Sequence, residues 1–158
     1  MRLPRPAALV CGLLLTLALS GAPAGAQTRP YSPALWVDGL VDAPRAYTLA
    51  DLPALPAREA TGELRAGNTN ERHTRRGVPL VDLLTAARPL FDPRDDKLGW
   101  YVAVDATDDY AVVLAWGEID PELEGKKVLV AFAESGQPLG DGDGMARPVV
   151  PGDGRGGR

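Results

Sequence analysis

Apolar and polar positions alternate most clearly in two neighbouring stretches, 100–106 and 110–116. Between them lies Thr107-Asp108-Asp109, whose residue types are common in tight turns, so the pattern predicts a β-hairpin. Tyr101 and the residues two and four positions after it should share one face of this hairpin. The stretch 127–133 is apolar almost throughout, which predicts a central strand buried on both faces.

A different period appears in Gly77-Val78-Pro79-Leu80-Val81-Asp82-Leu83-Leu84. The leucines of this segment recur at helical spacing and should face a core. Proline suits the first turn of a helix, and an aspartate there meets the positive end of the helix dipole. We therefore predict that a strand turns at Gly77 into a buried helix over 79–87.

The remaining pattern consists of short elements. A capped helical turn is expected after Thr48, with Asp51 at the reciprocal capping position. Further strands are predicted over 35–41, 58–66, 71–76 and 146–150. Many short strands with few short helices indicate an α+β fold with mixed, mainly antiparallel sheets, rather than alternating βαβ units.

The first 26 residues have the pattern of a secretory signal peptide: an arginine-bearing start, an apolar run over 7–19 and a small-residue cleavage site ending at Ala26. We expect a flexible leader over 27–34 and one domain over 35–158. The signal predicts a periplasmic or secreted protein that has no membrane segment once the signal is removed.

Composition excludes several kinds of site. The single cysteine, Cys11, lies inside the predicted signal, so the mature chain cannot form a disulfide, a thiolate metal site or a cysteine nucleophile. The formal net charge of −4 and the absence of a basic face argue against nucleic-acid binding. The acidic segment 141–144 lacks the further ligands of a calcium loop, so no metal site is predicted.

A basic run stands out in this acidic chain. His73 is the only histidine, and it lies among Arg72, Arg75 and Arg76, with Arg65 nearby in sequence. Without an acidic partner or a nucleophile motif in its immediate sequence, His73 is a poor candidate for a catalytic triad and a better one for an anion contact. Arginines suit bidentate recognition of phosphate or carboxylate. A solvated strand face remains the alternative.

Four segments in order resemble the sulfite-oxidase-like molybdopterin-binding domain. They are VDGLVDAPRAYTLADLPALP, RRGVPLVDLL, VDATDDYAVVLAWGEID and GQPLGDGDGMARPVVPGDGRGGR. Together they span most of 36–158. The resemblance implies an α+β domain that holds a molybdenum–pterin cofactor, with Arg147, Gly152 and Arg155 on the pterin-phosphate side and the region of His73 lining the pocket.

The chain departs from that family at informative places. Catalytic members ligate molybdenum through a cysteine in a Cys-Ala-Gly-Asn-like sequence, whereas Arg65-Ala66-Gly67-Asn68 places an arginine there. The family also continues past the glycine-rich segment into a closing strand, which this chain is predicted to lack. The sequence therefore predicts no catalytic and no metal-ligating residue.

Three functions follow as hypotheses. The first is a non-catalytic or accessory binding protein, the second an oxidoreductase subunit that holds the cofactor without a protein thiolate, and the third a periplasmic small-anion-binding domain. A redox partner protein is possible in the second case. The candidate cofactor-binding residues are Arg65, Arg72, His73, Arg75, Arg147, Gly152 and Arg155.

Overall fold

The structure is a computed structural model, and it describes residues 32–66, 69–92, 97–140 and 142–153; the side chains of residues 63–66, 69 and 70 are excluded from the description. These residues form nine strands and two α-helices. In chain order they are β1 Leu35–Val37, β2 Arg45–Tyr47, β3 Arg58–Ala66, β4 Thr69–Pro79, α1 Leu80–Ala87, β5 Tyr101–Asp105, β6 Ala111–Ala115, α2 Trp116–Ile119, β7 Leu129–Glu134, β8 Gln137–Pro138 and β9 Arg147–Val149.

The predicted α+β class is confirmed, with every strand pair antiparallel. The main sheet has the order β3-β4-β7-β8, and β9 also pairs with β7. The apolar run predicted to be central is therefore flanked by β4 on one edge and by β8 and β9 on the other. Two smaller sheets, β1-β2 and β5-β6, complete the described fold.

Gly77 lies inside a strand, so the predicted turn at this residue is wrong. Strand β4 runs on to Pro79, and its register with β7 shifts between Arg76 and Gly77. This irregularity brings the two backbones together: a Cβ on Gly77 would lie 2.4 Å from the carbonyl oxygen of Val130 and 2.7 Å from the Cα of Ala131. Only a residue without a side chain fits this approach.

Helix α1 confirms the helical leucine pattern. Pro79 precedes its first turn, and Leu80, Leu83 and Leu84 are buried on its inner face. The helix ends at Ala87, and the next residue, Arg88, adopts a left-handed conformation. These leucines pack with the apolar side chains of the central strand, among them Val130 and Phe132, in the main core.

The predicted hairpin is also confirmed. Tyr101 pairs with Ala115 and Asp105 with Ala111. The face that carries Tyr101 is exposed, while Leu114 on the other face is fully buried. Phe91 joins this region to the core, since its ring packs edge-on against Trp100 and Trp116 at centroid distances of 5.0 and 4.7 Å.

Some elements differ from expectation in detail. The strand predicted over 35–41 ends at Val37, and Gly39 adopts a positive φ of 98° in a turn instead of a bulge. The predicted helical turn is a short 3-10 helix, Leu52–Ala54. Asp51 Oδ2 accepts hydrogen bonds from the backbone N–H and the hydroxyl of Thr48, both at 2.7 Å. The bond from the backbone N–H is the reciprocal capping contact predicted for Asp51.

Several sequence predictions lie outside the described residues: the signal peptide over 1–26, most of the leader over 27–34, the tip of the turn at 67–68, and Arg155. No helix among the described residues is long and apolar enough to cross a membrane.

Candidate functional site

The basic run is distributed over two faces of β4. Side chains two residues apart along a strand share a face, so Glu71, His73 and Arg75 lie on one face and Arg72 and Arg76 on the other. Arg75 is buried, whereas Arg72 and Arg76 are exposed. The structure therefore does not unite the run into one cluster, and only the His73 and Arg75 pair forms an enclosed site.

Glu134, the last residue of β7, meets both of these side chains. Its register partner on β4 is Arg75, which donates from Nε to Glu134 Oε2 at 3.2 Å. The other carboxylate oxygen, Oε1, is in close contact with Nδ1 of His73. One carboxylate thus bridges two basic side chains, and each oxygen contacts one of them.

The second ring nitrogen of His73 also faces a carboxylate, with Nε2 3.4 Å from Oε2 of Glu71. The expectation that His73 has no acidic partner is therefore wrong. A protonated imidazole donates from both ring nitrogens and satisfies both contacts. Because the ring stands between the two carboxylates, these groups do not converge on one point, and no group of three metal-ligating side chains occurs among the described residues.

The surroundings of Glu134 favour its ionised form. The hydrogen bond with His73 is the main cause that holds the pKa of the Glu134 carboxyl below its ordinary value; partial burial opposes this, and the charge of Arg75 adds to it. Ionised Glu134 in turn compensates the charge of the buried Arg75. This network stabilises the end of the β4–β7 pairing.

The lowered pKa predicts an acid-dependent loss of stability. A carboxylate whose pKa is lower in the folded than in the unfolded state contributes stability that is complete above the unfolded pKa, about 4.3 for glutamate, and disappears as the pH falls through the folded pKa. In urea unfolding between pH 6 and pH 3, the stability gap between the parent and Glu134→Gln should therefore narrow steadily below pH 4.3. A gap that stays constant down to pH 3 would contradict this assignment.

The remaining candidates lie apart from this pair. Arg147 is on β9 and forms an ion pair with Asp143. Its register partner Ala131 also pairs with Gly77 on the opposite edge of β7, so Arg147 and Gly77 flank the same residue of the central strand. Gly152 has a positive φ of 91° in the turn after β9, a conformation that favours glycine.

Arg65 is at the far end of β3, in register with Asn70. Its side chain is not among those described, so its predicted role in anion contact stays a prediction, as does that of Arg155. These observations do not test a cofactor-binding role for any of the seven candidate residues.

Glu134 is the residue that sequence reasoning missed, because Glu134-Ser135-Gly136-Gln137 read as a turn. Ser135 and Gly136 do form that turn, with positive φ values of 50° and 80°. Glu71 could have been found, since it stands two positions before His73 in a predicted strand and must share its face. Glu134 carries no comparable local signal, as it lies 61 residues from His73.

Asp120, which with Arg75 makes up the buried charged side chains of the described residues, belongs to a structural network. Its carboxylate accepts hydrogen bonds from the indole N–H of Trp116 at 2.8 Å and from the backbone N–H of Glu122 at 3.0 Å, and Lys97 lies 3.5 Å away. The hydrogen bond from the backbone of Glu122 is the main cause that lowers the pKa of the Asp120 carboxyl, and the hydrogen bond from Trp116 is the second cause. This network joins α2 to the segment before β5 and leaves the His73 and Arg75 pair as the candidate site.

Comparison with known proteins supports the fold. No protein-family model matches the chain, and no curated protein matches it. Among solved structures, the chain is similar to the sulfane dehydrogenase SoxCD from Paracoccus pantotrophus, with a TM-score of 0.60 and 23% sequence identity. The match covers 79% of this chain and 34% of that chain, so this chain spans about a third of the solved one. It supports a sulfite-oxidase-like fold.

Proposed function

We propose that the protein is a secreted or periplasmic accessory domain of sulfite-oxidase-like fold that binds a small anion and does not carry out molybdenum chemistry itself. The fold match suggests an oxidoreductase-like domain, and fold alone does not fix activity. The proposal therefore depends on the chemistry of the side chains at the site.

The observation that carries the proposal is the pair of basic side chains on one face of β4. Arg75 is an enclosed guanidinium, only 7% exposed, and His73 is half-buried beside it. Both present donors to the same carboxylate. A site that holds two donors toward two oxygens of one group is suited to a carboxylate or an oxyanion.

The residues present do not fit a molybdenum centre. Soft thiolate ligands are the chemistry expected from the family resemblance, and residues 27–158 contain no cysteine. Arginine at position 65 has no lone pair to donate and carries a fixed positive charge. The carboxylates around His73 stand on opposite sides of its ring and cannot replace a thiolate at one ion.

Elemental analysis tests this directly. Protein purified from cells that produce the molybdenum–pterin cofactor should contain no stoichiometric molybdenum after gel filtration and should not oxidise sulfite. A cysteine-ligated sulfite oxidase from the same host provides the positive control for cofactor supply. Molybdenum at one atom per chain together with sulfite turnover would refute the proposal.

A second function is favoured by the fold match alone. The solved neighbour is a sulfane dehydrogenase, so this chain could instead be an oxidoreductase subunit that holds a molybdenum–pterin cofactor through phosphate contacts. Arg147 and Gly152 would contribute by the family resemblance. The same elemental analysis separates the two functions, because only the second predicts bound molybdenum.

A further inference from the structure

The bridging carboxylate of Glu134 leads to a more specific conclusion about the same pair. We propose that Glu134 is an internal competitor that occupies an oxyanion subsite formed by Arg75 and His73. This inference rests on the proposed anion-binding function and adds its regulation: an external oxyanion or carboxylate binds only when Glu134 withdraws from the pair.

The geometry of Glu134 is that of a bound ligand. Its two oxygens each serve one basic group, Arg75 Nε and His73 Nδ1, as the oxygens of a sulfate, phosphate or acetate would. Its side chain is 25% exposed, so the carboxylate reaches the surface instead of being sealed in the core. A solvent anion can therefore reach the same donors if the carboxylate is absent.

The neighbouring strand leaves room beside the pair. The register partners of His73 and Arg75 on β3 are Gly62 and Ala60, both small. A Cβ built on Gly62 would meet nothing within 4 Å, so the space over His73 on this side is open. A ligand larger than a carboxylate can extend into this space.

The charge balance also favours an anion once Glu134 is gone. The cluster on this face holds the basic side chains of Arg75 and His73 and the carboxylates of Glu71 and Glu134. Removal of Glu134 leaves the Arg75 guanidinium without its carboxylate, and the remaining carboxylate, that of Glu71, is 55% exposed at 3.4 Å from the imidazole. An enclosed guanidinium without a partner is costly, which gives an incoming anion a direct stabilising role.

Chemical rescue tests the proposal. Thermal unfolding midpoints of the full chain are measured at pH 6.0 in sodium chloride, sodium acetate and sodium sulfate at matched ionic strength, for the parent and for Glu134→Ala. The variant should be less stable than the parent in chloride. Acetate and sulfate should raise its midpoint along a saturating curve, as expected for binding to the folded state alone.

Two controls isolate the site. Sulfate stabilises folded proteins generally by exclusion from their surface, so the parent measures that background. Glu118→Ala removes a carboxylate of similar exposure, 22%, which pairs with Lys126 at 3.0 Å and accepts a hydrogen bond from the backbone N–H of Ala115. Neither control should show the saturating rise.

Sulfate titration by calorimetry should show binding at least about tenfold tighter in Glu134→Ala than in the parent. A tenfold difference in affinity corresponds to about one charge-assisted hydrogen bond.

Parallel midpoint shifts in Glu134→Ala, Glu118→Ala and the parent would overturn the inference. If Glu134→Ala does not fold in chloride, refolding yield becomes the measurement: recovery in acetate as well as in sulfate supports the inference, and failure in acetate and sulfate alike, or recovery in sulfate alone, overturns it. Bound molybdenum in the parent would refute the proposed function without affecting this rescue. Absence of rescue would refute the role of Glu134 as an internal competitor. The result of the elemental analysis, which tests the proposed function, would not depend on it.

Discussion

Replacing Gly77 with alanine should destabilise the protein by about 3 kcal/mol or more, at the upper end of the cost of overpacking. The new Cβ would lie 2.4 Å from the backbone oxygen of Val130 and 2.7 Å from the Cα of Ala131. Both atoms belong to the central strand, so neither can rotate away as a flexible side chain would. Relief requires β4 and β7 to separate where the register shifts.

Gly62→Ala is the matched control, because Gly62 is also a strand glycine but an added Cβ there meets nothing within 4 Å. It should change the free energy of unfolding by no more than about 0.5 kcal/mol. Urea unfolding of the two variants and the parent gives the comparison. Equal stability of Gly77→Ala and Gly62→Ala would show that the close approach of β4 and β7 is not formed in solution.

Leu83→Ala should cost about 2–5 kcal/mol, the range for truncation of buried leucines. Leu83 is 2% exposed on the inner face of α1 and belongs to the main core. Truncation removes apolar contacts and leaves a cavity in the main core beneath α1, where close packing limits relaxation. The denaturant midpoint should fall with an unchanged slope.

Leu40→Ala provides the control for leucine truncation as such, since Leu40 is 69% exposed. Its backbone oxygen accepts a hydrogen bond from Leu90, and this contact does not depend on its side chain. The variant should stay within about 0.5 kcal/mol of the parent. A Leu83→Ala midpoint equal to that of Leu40→Ala would mean that α1 does not face the core.

The candidate site was only half visible in the sequence. The basic run identified His73 and Arg75, and alternation along the predicted strand 71–76 already places Arg72 on the other face. Only the structure shows that Arg75 is buried while Arg72 is exposed. Glu134 is absent from that reading because its role depends on the pairing of β4 with β7. Residues 59 and 61 positions apart meet only through that pairing.

The sequence by itself determined the local elements: the β5–β6 hairpin, the helix α1 and the buried strand β7. Each has a period or an apolar run that depends on residues close together in the chain, and such patterns select helix or strand before any tertiary contact forms. The tertiary structure decided the role of Gly77, which meets a neighbouring backbone instead of making a turn. It also decided that Glu134 bridges His73 and Arg75, because strand register is set by packing of the whole sheet and not by either strand alone.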